Sequence, residues 1–305
     1  MISVRAFAKI NLTLRVLGVL ADGYHQLRTI YQSIALHDTL TFRWRSGPFR
    51  LECDEPACPA GEANLVWQAA DRLRAAAGRR GAPRDFAIRL EKRIPMQAGL
   101  GGGSSDAAMV LAVLARRWRV DQVRVREIAA SLGADVPYFL EGGAVLGLER
   151  GDLLYPLVDP APFWVALVVP PFGVSTTEAY RWWDGRSEGA PSAAARHRDA
   201  KRRVPGVRLQ RREKGWSLRE IDNDLQPIVA AHHPEIARMV EALTRSGAAH
   251  AAMSGSGSAV FGLFEDRRDA ERALDILGLQ KCRRFLTRTV NRATYQRLAG
   301  IPQST

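Results

Sequence analysis

The chain has 305 residues, 46% hydrophobic and 25% charged, the balance of a globular protein with material for a buried core and length for two domains. No stretch reaches the roughly 18 apolar residues of a membrane span, and the opening MISVRAFAKI lacks the apolar centre of a signal peptide, so the expected location is cytoplasmic, with no membrane partner. The formal net charge is +12, but Arg186 to Arg219 alone holds 11 basic and 3 acidic residues. Within it, GRSEGAPSAAARHRDAKRR has no aromatic residue interleaved with the basic ones. It reads as a solvated, flexible insertion at about 186–215, and a nucleic-acid partner is not expected. Cys53, Cys58 and Cys282 are too few for a disulfide framework or a zinc ribbon and are expected as free thiols.

In chain order, residues 4–16 alternate, with Ala6, Ala8, Ile10, Leu12 and Leu14 on one face and Lys9, Asn11 and Thr13 on the other. A strand there buries one side and presents a polar row on the other. Asp22-Gly23 is a turn signal, and TIYQSIALHDTLTFRW continues as strand. NLVWQAADRLRAAAG reads as a helix ended by Gly78, and DFAIRLEKRIP as a strand with Phe86, Ile88 and Leu90 on one face. SSDAAMVLAVLARRW is apolar nearly all round and reads as a buried helix. Further on, VDPAPF interrupts the pattern near Asp159, and Gly255 and Gly257 form a loop between two strands.

Between the 85–95 strand and the buried helix lies PMQAGLGGGSSDAA, with Gly99, Gly101, Gly102 and Gly103 in five positions. Helix N-termini carry unpaired N–H groups and about half a positive charge, and glycines let an anion come close to that backbone. The segment reads as a phosphate cradle, with a tight, closely packed turn as the plainer alternative. Ser104 and Ser105 are candidates to cap the helix or to add hydroxyl contacts. A Walker loop would end in Gly-Lys-Ser/Thr, and a Rossmann fingerprint would need Gly or Ala at position 104, so neither fits. HRD at His197 to Asp199 is not a protein-kinase catalytic loop, because position 204 is Val where Asn is required and no DFG follows.

AKINLTLRVLG, DGYHQL, PMQAGLGGGSSDAA, LGADVPYF, NDL and MSGSGSAVFG stand in an order and spacing that resembles the 4-diphosphocytidyl-2-C-methyl-D-erythritol kinase family of the GHMP small-molecule kinases. The likeness runs from about Ile2 to Phe264 and is weak across the basic insertion. It implies an α+β fold of two domains, 1–158 with the glycine loop and 159–305 with a ferredoxin-like sandwich, and an active site in the cleft between them. The implied reaction moves the γ-phosphoryl of ATP to the 2-hydroxyl of the methylerythritol unit of 4-diphosphocytidyl-2-C-methylerythritol, a step of the non-mevalonate isoprenoid route. Such chemistry rests mainly on positioning and charge neutralisation.

The resemblance implies Lys9 and Asp135 as the catalytic pair, Asp135 accepting the hydroxyl proton or orienting the hydroxyl and Lys9 stabilising the developing charge. It implies ATP contacts at Pro95, Ala98, Gly99, Leu100, Gly101, Gly102, Gly103, Ser104 and Ser105. Tyr24 and Tyr180 would sandwich the cytosine and His25 would read its polar edge. Asn11 would hold Lys9 or substrate, and Gly255, Ser256 and Gly257 would close on the substrate from the second domain. Mg²⁺ is expected through the ATP phosphates, with no dedicated metal cluster. The chain departs from the family at Val19, Leu20 and Ala21, where a basic residue is usual, and at Gln97, where a small residue is common. A homoserine- or mevalonate-type GHMP kinase would share the glycine loop without needing a cytidine sandwich. A nucleic-acid-binding protein would leave that loop unexplained.

Overall fold

A computed structural model describes residues 1–185, 211–212, 215–216, 222–276 and 281–301. The expected insertion at about 186–215 thus lies outside the described residues, apart from Arg211, Arg212 and Gly215. β1 (Ile2–Val19) and β2 (His25–Pro48) form a long antiparallel pair around the Asp22-Gly23 turn. Both extend beyond the alternating stretches, because each finds a partner along nearly its whole length.

The row predicted to share one face of β1 is split. Register shifts at Phe7/Ala8 accompany a change of side: Ala6 joins the core under the helices, whereas Ala8, Ile10 and Leu12 join the layer between the sheets. The pairing passes from Phe7–His37 directly to Ala8–Ile34, so Ala35 and Leu36 bulge out of β2, which bends and twists the strand pair at that point. The polar row is not presented to water either. Lys9 and Asn11 are each 3% exposed, because loops from both halves of the chain close over them.

β3 (Arg50–Cys53), β4 (Arg84–Glu91), β5 (Ala144–Glu149) and β6 (Leu153–Pro156) complete a six-stranded sheet. One edge of β2 carries β1, and the other is shared by β5 and β4. Over this sheet pack α1 (Leu65–Ala76), α2 (Gly102–Trp118), α3 (Gln122–Leu132) and the short α4 (Tyr138–Glu141). α1 begins where the sequence predicts, with the Asn64 carboxamide accepting the Val66 N–H at 2.8 Å. α2 is buried on nearly all sides, as its composition predicts.

The second sheet holds β7 (Trp164–Val169), β10 (His250–Met253), β11 (Val260–Phe264) and β12 (Arg283–Arg288) in the order β10-β11-β7-β12, all antiparallel. β8 (Arg211–Arg212) and β9 (Gly215–Trp216) pair with each other. α5 (Thr176–Gly185), α6 (Gln226–His232), α7 (Pro234–Arg245) and α8 (Arg267–Ile276) accompany this sheet, and α9 (Arg292–Ala299) returns to the first core through Tyr295 and Ala299.

The result is four layers. Helices cover the outer face of each sheet, and the two inner faces meet through Ile10, Leu12 and Ile34 on one side and Val165, Leu167 and Phe261 on the other. β7 is therefore buried on both faces and reads as an unbroken apolar run, without alternation. Among the described residues, no helix is long and apolar enough to cross a membrane.

Candidate active site

β4 stops at Glu91, four residues before the sequence predicts. Carboxylates capture the next N–H groups: Asp54 accepts from Lys92, and Asp38 accepts from Arg93 and Ile94. The chain leaves the ladder there and runs toward α2. Beneath this crossing, the Lys92 ammonium donates to Asp38 and Asp106, all three side chains being buried. Burial and the Asp38 charge push the Asp106 carboxyl up against the opposing pull of Lys92, to about 8.

The four glycines of the loop meet different demands. Gly99 and Gly101 both have φ +72°, and an added Cβ would stand 2.1 Å from the Ser254 carbonyl oxygen or 2.6 Å from the Phe139 ring. These two serve the turn and its close packing. A Cβ on Gly103 would meet only Leu65, at 3.8 Å, so the backbone there is open to a ligand. Gly101 is the N-cap of α2 and gives no side-chain hydrogen bond, which leaves the first N–H groups of a 17-residue helix facing the cleft.

Neither serine caps the helix. Ser104 borders the cleft together with Pro95, Ala98 and Gly102. Ser105 does not, because one residue further along is about 100° round the helix, and its side chain is fully buried. Leu100 likewise buries its side chain between the sheets, and its carbonyl accepts the Lys9 N–H at 3.0 Å.

That hydrogen bond sets Lys9 below the loop. Its ammonium donates to Asn11 Oδ1 at 2.6 Å and lies 3.4 Å from Asp135 Oδ2. Asn11 is fixed in turn, donating from Nδ2 to Thr29 Oγ1 at 2.7 Å. Tyr31, opposite Asn11 in the β1–β2 register, donates its phenol proton to Asp135 Oδ1 at 3.1 Å. Burial, followed by the Asp135 charge, raises the Tyr31 phenol well above its ordinary range, so it stays a donor. Tyr31 carries no sequence signal. It is one aromatic in a strand, and only the sheet register brings it to the pair.

The loop between β10 and β11 closes this end. Gly255 has φ +57°, and a Cβ there would stand 3.3 Å from Lys9 Nζ. Ser254 Oγ donates to the Gly99 carbonyl at 3.0 Å, tying one glycine loop to the other. Asn223, within the NDL motif, donates to the carbonyls of Met253 and Gly255 at 2.8 and 2.7 Å. Gly255 and Ser256 border the cleft, whereas Gly257 turns behind it against Met253 and does not.

At the opposite end, Tyr24 is 57% exposed and His25 stacks on Tyr180, ring centroids 4.4 Å apart at 20°. The expected arrangement has His25 at the edge of a base. Here it lies on the face of Tyr180, with Nε2 2.8 Å from Asp184 Oδ1. Where Val19, Leu20 and Ala21 offer no cation, Arg150 enters from the turn after β5, its guanidinium 4.4 Å from the Tyr24 ring centroid and paired with Asp22. Gln97, at φ +52°, packs beside Gly173 and borders the cleft. The cleft joins both ends in one volume of about 1170 Å³. That exceeds the roughly 300–1,000 Å³ usual for one small ligand and suits two.

Models of the GHMP kinase N-terminal and C-terminal domains match residues 64–143 and 209–283. The chain is 42% identical over 275 residues to the 4-diphosphocytidyl-2-C-methyl-D-erythritol kinase of Chlorobium phaeobacteroides, covering 89% of this chain and 92% of the relative. It is 40% identical to the enzyme of that name from Moorella thermoacetica, covering 93% and 98%. A crystal structure of a 4-(cytidine 5'-diphospho)-2C-methyl-D-erythritol kinase superposes with a TM-score of 0.72 at 33% identity, over 94% of this chain and 99% of that one. A mevalonate kinase superposes with a TM-score of 0.68 at 13% identity, over 95% and 100% of the two chains, a likeness of fold alone.

Proposed function

The chain belongs to the 4-diphosphocytidyl-2-C-methyl-D-erythritol kinase family of the GHMP kinases, and on that premise we propose that it transfers the γ-phosphoryl of ATP to the 2-hydroxyl of the methylerythritol unit of 4-diphosphocytidyl-2-C-methylerythritol. The product is a phosphate monoester in the methylerythritol phosphate route to isoprenoids, and the enzyme works in the cytoplasm, where ATP is available. The observation that carries this reading is the Lys9–Asp135 pair, 3.4 Å apart, in one cleft with the open N-terminus of α2 and the Tyr24–His25–Tyr180 aromatic group.

The ATP phosphates lie against the N–H groups of Gly102, Gly103 and Ser104, where the helix dipole favours anions. The substrate hydroxyl meets Asp135, which takes its proton as the oxygen forms a bond to the γ-phosphorus and the bond to the ADP oxygen breaks. Lys9 neutralises charge on the transferring group. Asn11 and Tyr31 hold the two side chains in place, so the pair is organised before substrate arrives. Mg²⁺ needs few protein ligands when ATP supplies phosphates, and Ser104 is a hard oxygen donor on the cleft wall that fits it. Bound there, the ion would neutralise phosphate charge. Tyr24 provides a stacking face for the cytosine, and Tyr180 the second once His25, which is stacked on it, moves to the polar edge of the base.

The test is phosphoryl transfer from ATP to a panel of acceptors. The cytidylylated compound should be turned over far faster than base-free methylerythritol phosphate, mevalonate or homoserine. Equal turnover of the base-free compounds would return the assignment to an unspecified GHMP kinase.

A further inference from the structure

We propose that Arg150 binds the diphosphate of the substrate and so makes the cleft selective for a cytidine diphosphate ester over cytidine itself. The inference rests on the reading that the cytosine lies at Tyr24 and Tyr180. With the base at one end and the reacting hydroxyl at Lys9 and Asp135, the diphosphate must lie between them.

The turn that carries Arg150 makes contacts toward both ends. Glu149, just before it, has φ +58°, a conformation non-glycine residues rarely hold without a structural or functional reason. Its carboxylate accepts from Gln26 Nε2 at 3.2 Å, which ties the turn to β2. Gly151, just after, is pressed against Tyr31: a Cβ there would stand 2.4 Å from the Tyr31 hydroxyl, the group that donates to Asp135. One short turn thus touches the partner of the catalytic carboxylate through Gly151 and the face of Tyr24 through Arg150.

The two lysines bordering the cleft are committed. The buried Lys9 ammonium is held by Asn11 and Asp135, and Lys92 by the buried Asp38 and Asp106. Arg150 differs, since its ion pair with Asp22 is 41% and 40% exposed. Exposed pairs of this kind contribute little and exchange readily for a better anion. A guanidinium presents two parallel donors to phosphate oxygens, and its planar face can remain on Tyr24 while it does so. Arg181, also bordering the cleft, has the same charge but only a 3.9 Å contact with Glu178 and, among the described residues, no ring beneath it, so it serves as a control for charge alone.

The experiment is calorimetric titration of the full chain with cytidine and with cytidine 5′-diphosphate. The native protein should prefer the diphosphate. Arg150→Ala and Arg150→Gln should each weaken diphosphate binding roughly 10- to 100-fold, the usual range for a lost charged hydrogen bond, and leave cytidine binding within about threefold. Arg150→Lys should recover part of the loss, and Arg181→Ala should leave the preference unchanged. Equal losses for both ligands would reduce Arg150 to a prop for Tyr24 and overturn the proposal, as would no loss at all. A native protein that binds neither ligand would remove the cytidine reading itself and the proposal with it.

Discussion

The two ends of the cleft are built in opposite ways. At the proposed phosphoryl-transfer end, Lys9 and Asn11 are buried, every polar side-chain atom of the two has a named partner, and two glycine loops from different sheets lock together through Ser254 and Gly99. At the proposed base end, Tyr24 stands 57% exposed on a turn, Asp22 and Arg150 form a surface ion pair, and Asp184 contacts the His25 ring. Transition-state charge is stabilised best by groups that do not have to reorganise, which favours a rigid, dry constellation. A large substrate must enter and leave, which favours side chains that can change partners at small cost. The contrast implies that changes at the first end act on turnover, on ATP binding or on the fold, whereas changes at the second act on affinity for the phosphoryl acceptor.

The sharpest way to break that contrast is at Asp135. Asp135→Asn keeps the shape and should lower kcat by roughly 10²–10⁴ with ATP binding nearly intact, measured by steady-state kinetics and nucleotide titration. A kcat close to native would take Asp135 out of the reaction.

Gly101→Ala probes the packing of the same end. A side chain at φ +72° costs about 1–2 kcal/mol, and overlap with the Phe139 ring adds about 1–3 kcal/mol, so urea unfolding should report a loss of about 2–5 kcal/mol. Gly103→Ala, with open space around its Cβ, should leave stability within about 1 kcal/mol and instead raise the KM for ATP. Equal destabilisation by the two would mean that the loop glycines have one role, not two.

At the base end the effect should appear in KM. Tyr24→Ala and Tyr180→Ala should each raise the KM for the cytidylylated substrate roughly 5- to 150-fold, the equivalent of about 1–3 kcal/mol of lost stacking, and leave the KM for ATP unchanged. A fall in kcat with KM unchanged would show that the base end also organises the chemistry.

A separate effect concerns pH. Asp106 binds its proton more tightly in the fold than in the unfolded chain, because burial and Asp38 outweigh Lys92. A raised carboxyl lowers stability as pH rises between the unfolded value of about 4 and the folded value of about 8, by at most about 1.4 kcal/mol per pH unit. Asp106→Asn should therefore flatten the decline in urea midpoint between about pH 5 and 8. Parallel curves for the two proteins would assign the pH dependence elsewhere.

Local patterns were readable from the residues alone. The Asn64 cap, the buried helix at α2, the Asp22-Gly23 turn and the glycine loop depend on neighbours within a few positions, and their chemistry follows from residue type. The family motifs added Lys9, Asp135 and the aromatic group, because spacing along a motif survives as spacing along a strand or turn. What the sequence does not contain is which distant groups meet. The register shifts along β1 and β2 divide one alternating row among three cores, with Ala6 in one, Ala8, Ile10 and Leu12 in the second and Leu14 in the third, and no local preference announces it. Tyr31 reaches Asp135 across 104 positions, Asn223 reaches Gly255 across 32, and Lys92 meets Asp38 across 54. Arg150 reaches Asp22 across 128 positions, on a turn whose own residues look like any exposed hairpin. Strand register and layer packing decide these meetings, since hydrophobic periodicity tells which side of an element is buried and is silent about what it is buried against.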